Sequence, residues 1–261
     1  MKHFYLLLFL VFVSCTENQQ NDNEKASKEE SSVQEEEENQ PEEEIKWDYY
    51  AGTVGLYGEE VVMQISVNKS DISGGYWYVK HGKKLTLSGQ TVAKFDEWKF
   101  EESYNGKATG RFSVTNYGDS LIGQWFAPGK DEGQEVNLKR IISDSEEIEL
   151  SFDTYTYSHV VPIFFGEEED EEIEVVDEFK SSRIGDYLLF SYEVTGTNAH
   201  TGHISGLAEM VNDNKAIFKG EMECELTIEF TDYKTVNVDE TDCHYYRGMR
   251  AYFSGELKKV R

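Results

Sequence analysis

Val61-Val62-Met63-Gln64-Ile65-Ser66-Val67 and, a few residues on, Ser73-Gly74-Gly75-Tyr76-Trp77-Tyr78-Val79-Lys80 decide the fold class of this chain. Both stretches are rich in β-branched and aromatic residues and alternate along the chain, the pattern of a strand with one face in a core. In the second, Tyr76 and Tyr78 fall on one face and Trp77 on the other. Working outward, the same alternation recurs in KLTLSG, GRFSV, LIGQW and EVNLKR. Glycine-containing breaks separate these runs at Gly74-Gly75, His81-Gly82, Asn105-Gly106, Tyr117-Gly118 and Pro128-Gly129, and we read all five as turns. Seven or eight short strands between residues 47 and 142 then suggest an antiparallel meander, closed into a barrel or curved as a sheet around its own core. Residues 143–261 alternate in the same way, in ELSFDTYTY, DYLLFSYEV, KAIFKG, CELTIEF and TVNVDE, and are expected to form a second antiparallel β domain.

The remaining two segments are of another kind. Lys2 and His3 precede ten apolar residues, Phe4 to Val13, then Ser14 and Cys15. Ten residues are too few to cross a bilayer as a helix, which takes about 20, and suit the apolar part of a secretory signal. No other apolar run approaches 18 residues. Residues 16–46, TENQQNDNEKASKEESSVQEEEENQPEEEIK, have almost no large apolar side chain, so the expectation is a disordered acidic tether.

Composition narrows the partners. The chain carries 51 acidic and 25 basic residues, a formal net charge of −26. Nucleic-acid affinity comes from Lys and Arg neutralising phosphates, so nucleic acid is excluded as a partner, and adsorption to anionic lipid heads is disfavoured. There are three cysteines. With Cys15 set aside, Cys224 and Cys243 remain, and an oxidising compartment favours a disulfide between them over two buried thiols.

Val13-Ser14-Cys15 after an apolar run resembles the lipobox of bacterial lipoproteins, with Phe12 where leucine is usual. The resemblance implies cleavage before Cys15, a diacylglycerol on its thiol, and a membrane partner reached through that lipid. Polar and acidic residues downstream resemble the export signals of Bacteroidota lipoproteins, which implies an outer-membrane address facing the periplasm or the cell exterior. The ordered series Tyr50-Ala51-Gly52-Thr53-Val54-Gly55, VVMQISV, SGGYWYVKHGKKLTLSG, FEESYNGKATGRFSV and LIGQW is similar to a small β domain of exported bacterial proteins. Residues 199–259 resemble a second exported module, with Gly202 and His244 departing from its pattern. Neither resemblance implies a chemistry.

Candidate sites are few. Ser73 to Lys80 resembles the segment with which periplasmic lysozyme inhibitors enter their target, and makes Tyr76, Trp77 and Tyr78 candidate binding residues, provided that Tyr76 stands on an exposed turn. The alternative is that all three simply pack. The run Glu167 to Glu178 holds nine acids in twelve residues and reads as a solvated loop or a charge-guarded edge strand. Weak calcium binding is its alternative. His200, His203, His244 and the two cysteines compose a zinc site only if the thiols stay free; His203 and His244 are expected on the surface. Of Glu101 and Glu102, one faces inward with a partner and one outward. No nucleophile elbow, phosphate-binding loop or His-Glu-x-x-His pattern occurs, so no catalytic residue, metal or cofactor is assigned. The expected function is a non-catalytic binding or structural module for a protein or glycan. A lysozyme-type inhibitor and a hydrolase without a recognisable motif are the alternatives.

Overall fold

In the computed structural model, residues 45–260 are described apart from 56–57, 93–95, 145 and 165–170. Cys15 and residues 16–44 of the expected tether therefore lie outside the described residues. Two closed antiparallel barrels of eight strands follow one another along the chain. The first comprises β1 (Trp47–Val54), β2 (Glu59–Asn68), β3 (Asp71–Tyr78), β4 (Lys83–Val92), β5 (Glu97–Tyr104), β6 (Lys107–Asn116), β7 (Ser120–Phe126) and β8 (Gln134–Asp144). It is a plain meander, each strand pairing with the next and β8 returning to β1. The second comprises β9 (Asp153–Ile163), β10 (Glu171–Ile184), β11 (Tyr187–Gly196), β12 (His200–Asn212), β13 (Lys215–Lys219), β14 (Glu225–Asp232), β15 (Thr235–Thr241) and β16 (Gly255–Lys259), closed by β16 on β9. The second domain is thus also a barrel. Among the described residues no helix is long and apolar enough to cross a membrane.

Period-2 alternation sorts side chains between two environments, because successive residues of a strand face opposite ways. Tyr50, Met63, Ile65, Tyr76, Leu87, Phe100 and Phe112 fill the first barrel. Phe179, Phe190, Tyr192, Leu226, Ile228, Val238 and Phe253 fill the second. A third apolar cluster belongs to neither interior. Tyr49, Ala51, Val62, Trp77 and Val79, facing out of the first barrel, pack with Ile184 and Leu189, facing out of the second, and with Leu150 of the connector. Both barrels accordingly fall in one compact unit, residues 43–261. The connector is pinned by Tyr49, whose hydroxyl accepts the Ile148 amide at 2.6 Å and the Gln64 side-chain amide at 3.0 Å.

One of the five expected turns is not a turn. Gly74 and Gly75 lie inside β3, paired with Ile65 and Gln64 of β2. A side chain on Gly74 would collide with the Gln64 carbonyl oxygen, and one on Gly75 with Lys84 and the Trp77 ring. The glycines are there for close approach of neighbouring chain. The other four breaks are turns or bends between strands.

Candidate functional site

The candidate binding residues prove to be packing residues. Tyr76 is fully buried in the first barrel, edge-on to Tyr78 at 5.0 Å and to Phe112 at 5.6 Å. Trp77 is 2% exposed between the barrels. Tyr78 is half-buried at the rim of the interior. The exposed turn that an inhibitor led by Tyr76 requires is therefore not formed at Tyr76. Its hydroxyl lies near that of Tyr78 but meets no partner in good hydrogen-bond geometry among the described residues, and burial, then Tyr78, push its pKa up. Glu102 faces inward and Glu101 outward, as alternation demands. The expected partner for Glu102 is incomplete, however. Burial pushes its pKa up, and Thr109 and then Trp125 lie near enough to pull against that push, yet Glu102 Oε2 and Trp125 Nε1 do not meet in hydrogen-bond geometry.

Cys224 and Cys243 are joined in a disulfide, their Cα atoms 4.3 Å apart, which takes both thiols out of any zinc site. Among the described residues no group of three or more His, Cys, Asp or Glu is arranged to hold a metal. Of the acidic run, residues 167–170 lie outside the described residues, and 171–178 belong to β10. Among the described residues, Glu171–Asp177 pairs only with β9, so the described part is strand, not loop. Asp177 is turned inward, where Oδ1 accepts the Thr195 amide at 2.8 Å; His159 Nε2 lies 3.1 Å from Oδ2 but out of line for a hydrogen bond.

His203 is not a surface residue. Its Nε2 stands 3.3 Å from Ser191 Oγ, and Glu193 lies opposite it across the β11–β12 ladder. Burial, then the Lys80 charge, hold its pKa below the usual histidine value. A serine, a neutral imidazole and a carboxylate are the components of an activated nucleophile. Here Ser191 is 3% exposed, and Glu193 is bound to Lys80 of the first barrel at 3.0 Å. Lys180 adds a bond to the Lys80 carbonyl at 3.4 Å. The group is the polar half of the junction between barrels, and no substrate reaches the serine as it stands.

The ends of the second barrel differ, and the difference makes a site. At one end, residues 242–254 fold back over the interior. Cys243 ties them to Cys224, and Ala251 and Phe253 within the segment are fully buried. Glu240 fixes this plug by accepting Arg247 Nε at 2.9 Å and the Phe253 amide at 2.8 Å. At the other end three turns of two residues each, Gly185-Asp186, Asp213-Asn214 and Tyr233-Lys234, connect the strands and cover nothing. An open concavity of about 660 Å³ results, within the range of small-molecule sites and in a barrel mouth, a common place for them.

Tyr155, Leu188, Met210 and Phe230 line its floor. The Tyr155 ring stacks at a tilt on Phe230 with centroids 5.9 Å apart, and burial, then Asp153, raise its pKa. The rim is polar and already internally paired. Asp153 binds Lys259 at 2.6 Å. Arg183 donates to the Gly185 carbonyl at 3.2 Å and to the Asp213 carbonyl at 3.2 Å, with the Asp213 carboxylate 3.5 Å away. Asp232 accepts the Lys234 amide at 2.7 Å, which holds its pKa below the usual range. Asn214 Nδ2 donates to the Phe230 carbonyl at 3.2 Å and ties the turn to the floor. Such a cup can hold and orient a small molecule.

Sequence reasoning missed all of these residues. The signal was nonetheless present: two-residue turns follow β10, β12 and β14, while a connection of 13 residues, 242–254, precedes β16. No family model, no curated protein and no solved structure matches this chain.

Proposed function

We propose that this protein is an envelope lipoprotein, anchored in the outer membrane through a lipid on Cys15, whose double barrel is a non-catalytic binding module. The observation that carries the binding role is the contrast between the two ends of the second barrel. One is plugged and stapled by a disulfide, and the other opens on a concavity of about 660 Å³ with an aromatic floor and a polar rim. The anchor rests on the apolar run and small residues before Cys15, and the disulfide suits an oxidising, exported compartment. The net charge of −26 keeps nucleic acid out of the list of partners and leaves a protein or a glycan on it.

Metabolic labelling with a fatty acid tests the anchor. The wild-type chain should take up label and sediment with outer membrane, and Cys15→Ser should do neither. Equal labelling of both chains would remove the anchor from the account. A protein that binds at the mouth should be insensitive to Ser191→Ala, since that hydroxyl serves the junction; loss of a hydrolytic activity on that change would restore the enzyme reading.

A further inference from the structure

Resting on the reading of the mouth as a ligand seat, we propose that the second barrel takes a neutral carbohydrate, a mono- or disaccharide end of a glycan, between the rings of its floor and the polar groups of its rim. Three features of the cup select that class.

Its depth is short. Below Tyr155 and Leu188 the barrel is filled by Phe179, Phe190 and Phe218, with Phe179 and Phe190 stacked at 6.0 Å and Phe218 edge-on to Phe190 at 5.1 Å. An acyl chain needs a deep apolar channel, and this interior leaves none. A flat ligand with one apolar face suits a shallow aromatic floor. Pyranose rings present such a face of C–H groups.

Most charges of the rim are spoken for. Arg183 is the lone basic residue of the lining, and it is bound to the Asp213 loop and to Gly185. An anionic ligand would meet the Lys234 ammonium only at the outer edge, over the Tyr233 ring, and would face Glu149, Asp153, Asp213 and Asp232. A cationic ligand would compete with Lys259 for Asp153, with Arg183 for Asp213 and with the turn amide for Asp232, leaving Glu149 as its one uncontested carboxylate among the described lining residues. A neutral ligand displaces none of them.

The groups left over match hydroxyls. A carboxylate in an ion pair keeps acceptor sites beyond the one in use, and Asp153 and Asp213 present theirs at the rim. Ser151, exposed on the connector, adds a hydroxyl that both donates and accepts. Adjacent hydroxyls of a sugar ask for this mixture of planar acceptors and short donor-acceptors. Tyr233, 73% exposed on the β14–β15 turn, carries Lys234 Nζ over one face, 4.9 Å from the ring centroid, and stands at the rim where a second sugar ring would stack on the other.

The full-length protein, held in a zwitterionic detergent that carries no sugar, is labelled with ¹³C at the methionine methyls. Met210 lies in the mouth and Met63 is fully buried in the other barrel, so one reports the site and the other serves as control. The probes are maltose, cellobiose and chitobiose, with glucose 6-phosphate, glucosamine and cyclohexanol for comparison. The expected result is a saturable shift of the Met210 signal with at least one neutral disaccharide, Met63 unmoved, and affinity about tenfold weaker in Tyr233→Ala, a loss of about 1.4 kcal/mol. Tyr233 is exposed, so that variant keeps the fold. A shift of Met210 with a charged probe or cyclohexanol, and with no sugar, would overturn the carbohydrate assignment and leave the mouth as a seat. No shift with any probe would overturn both.

Discussion

Replacing Trp77 by alanine strikes the junction between the barrels and not the interior of either. Trp77 is 2% exposed and points out of the first barrel into a cluster with Val62, Ile184 and Leu189. Lys84 Nζ lies 5.2 Å from the ring centroid. Truncating a buried tryptophan to alanine costs about 3–5 kcal/mol, from lost transfer energy and the cavity left behind; the exposed cation–π contact adds about 0.5–1 kcal/mol at most. Part of this loss should fall on the second barrel, although the substitution lies in the first, because Ile184 and Leu189 lose the same contact. Two probes separate the barrels during urea denaturation. All four tryptophans, at positions 47, 77, 98 and 125, lie in strands of the first barrel, so fluorescence follows that half. The Met210 methyl signal follows the other. In the wild type the two probes should share one midpoint, as a coupled unit requires. In Trp77→Ala both midpoints should fall and separate. A stability change below about 1 kcal/mol, or a Met210 midpoint that stays where it was, would show that Trp77 does not join the barrels and would refute the reasoning.

Tyr76→Phe removes a buried hydroxyl that lies near Tyr78 but has no partner in good geometry among the described residues, so stability by denaturation should change by less than about 1 kcal/mol or rise; a loss of about 2 kcal/mol or more would show that the contact with Tyr78 is a full hydrogen bond. Removing both Cys224 and Cys243 as serines opens a loop with a sequence separation of 19, for which the chain-entropy argument gives a loss of roughly 3 kcal/mol. The Met210 midpoint should report it and tryptophan fluorescence should lag behind. Glu60, on the face of β2 turned away from the barrel interior, has its pKa raised by burial to about 7. The folded state then binds this proton more tightly than the unfolded state, so the protein should lose stability as pH rises from about 4.5 to about 7 and regain it as pH falls. Glu60→Gln should flatten that slope and stabilise the protein at pH 8; an unchanged slope in stability measured across this window would exonerate Glu60.

What could be read in advance was local. Alternation along a strand fixes which side chains share a face, so Tyr76 with Tyr78 against Trp77, and Glu102 against Glu101, came out of the sequence alone. It does not say what each face meets. Both faces of Tyr76-Trp77-Tyr78 are apolar because one lines a barrel and the other a second barrel, and the pattern of an isolated binding strand is the same. Gly74-Gly75 misled for a related reason: glycine serves a tight turn and a close approach of strands equally, and only the register with Gln64 and Ile65 distinguishes them. His203 faces out of the second barrel, but that outward face meets Lys80, which nothing in its own strand shows. The mouth draws on residues from 149 to 233, contributed by the ends of several strands. No short motif can announce such a site, and its one trace in the sequence is the contrast between two-residue turns and the long connection before β16.

Hydrogen exchange on the full-length protein, with and without envelope extract from cells that make it, tests the central claim most directly. Protection gained on binding should concentrate at residues 185–186, 213–214 and 231–234, the uncovered turns around the mouth of the second barrel. The plugged end, residues 242–254, and the first barrel should stay as they were. Protection appearing on the first barrel or the plug with the mouth unchanged would contradict the account.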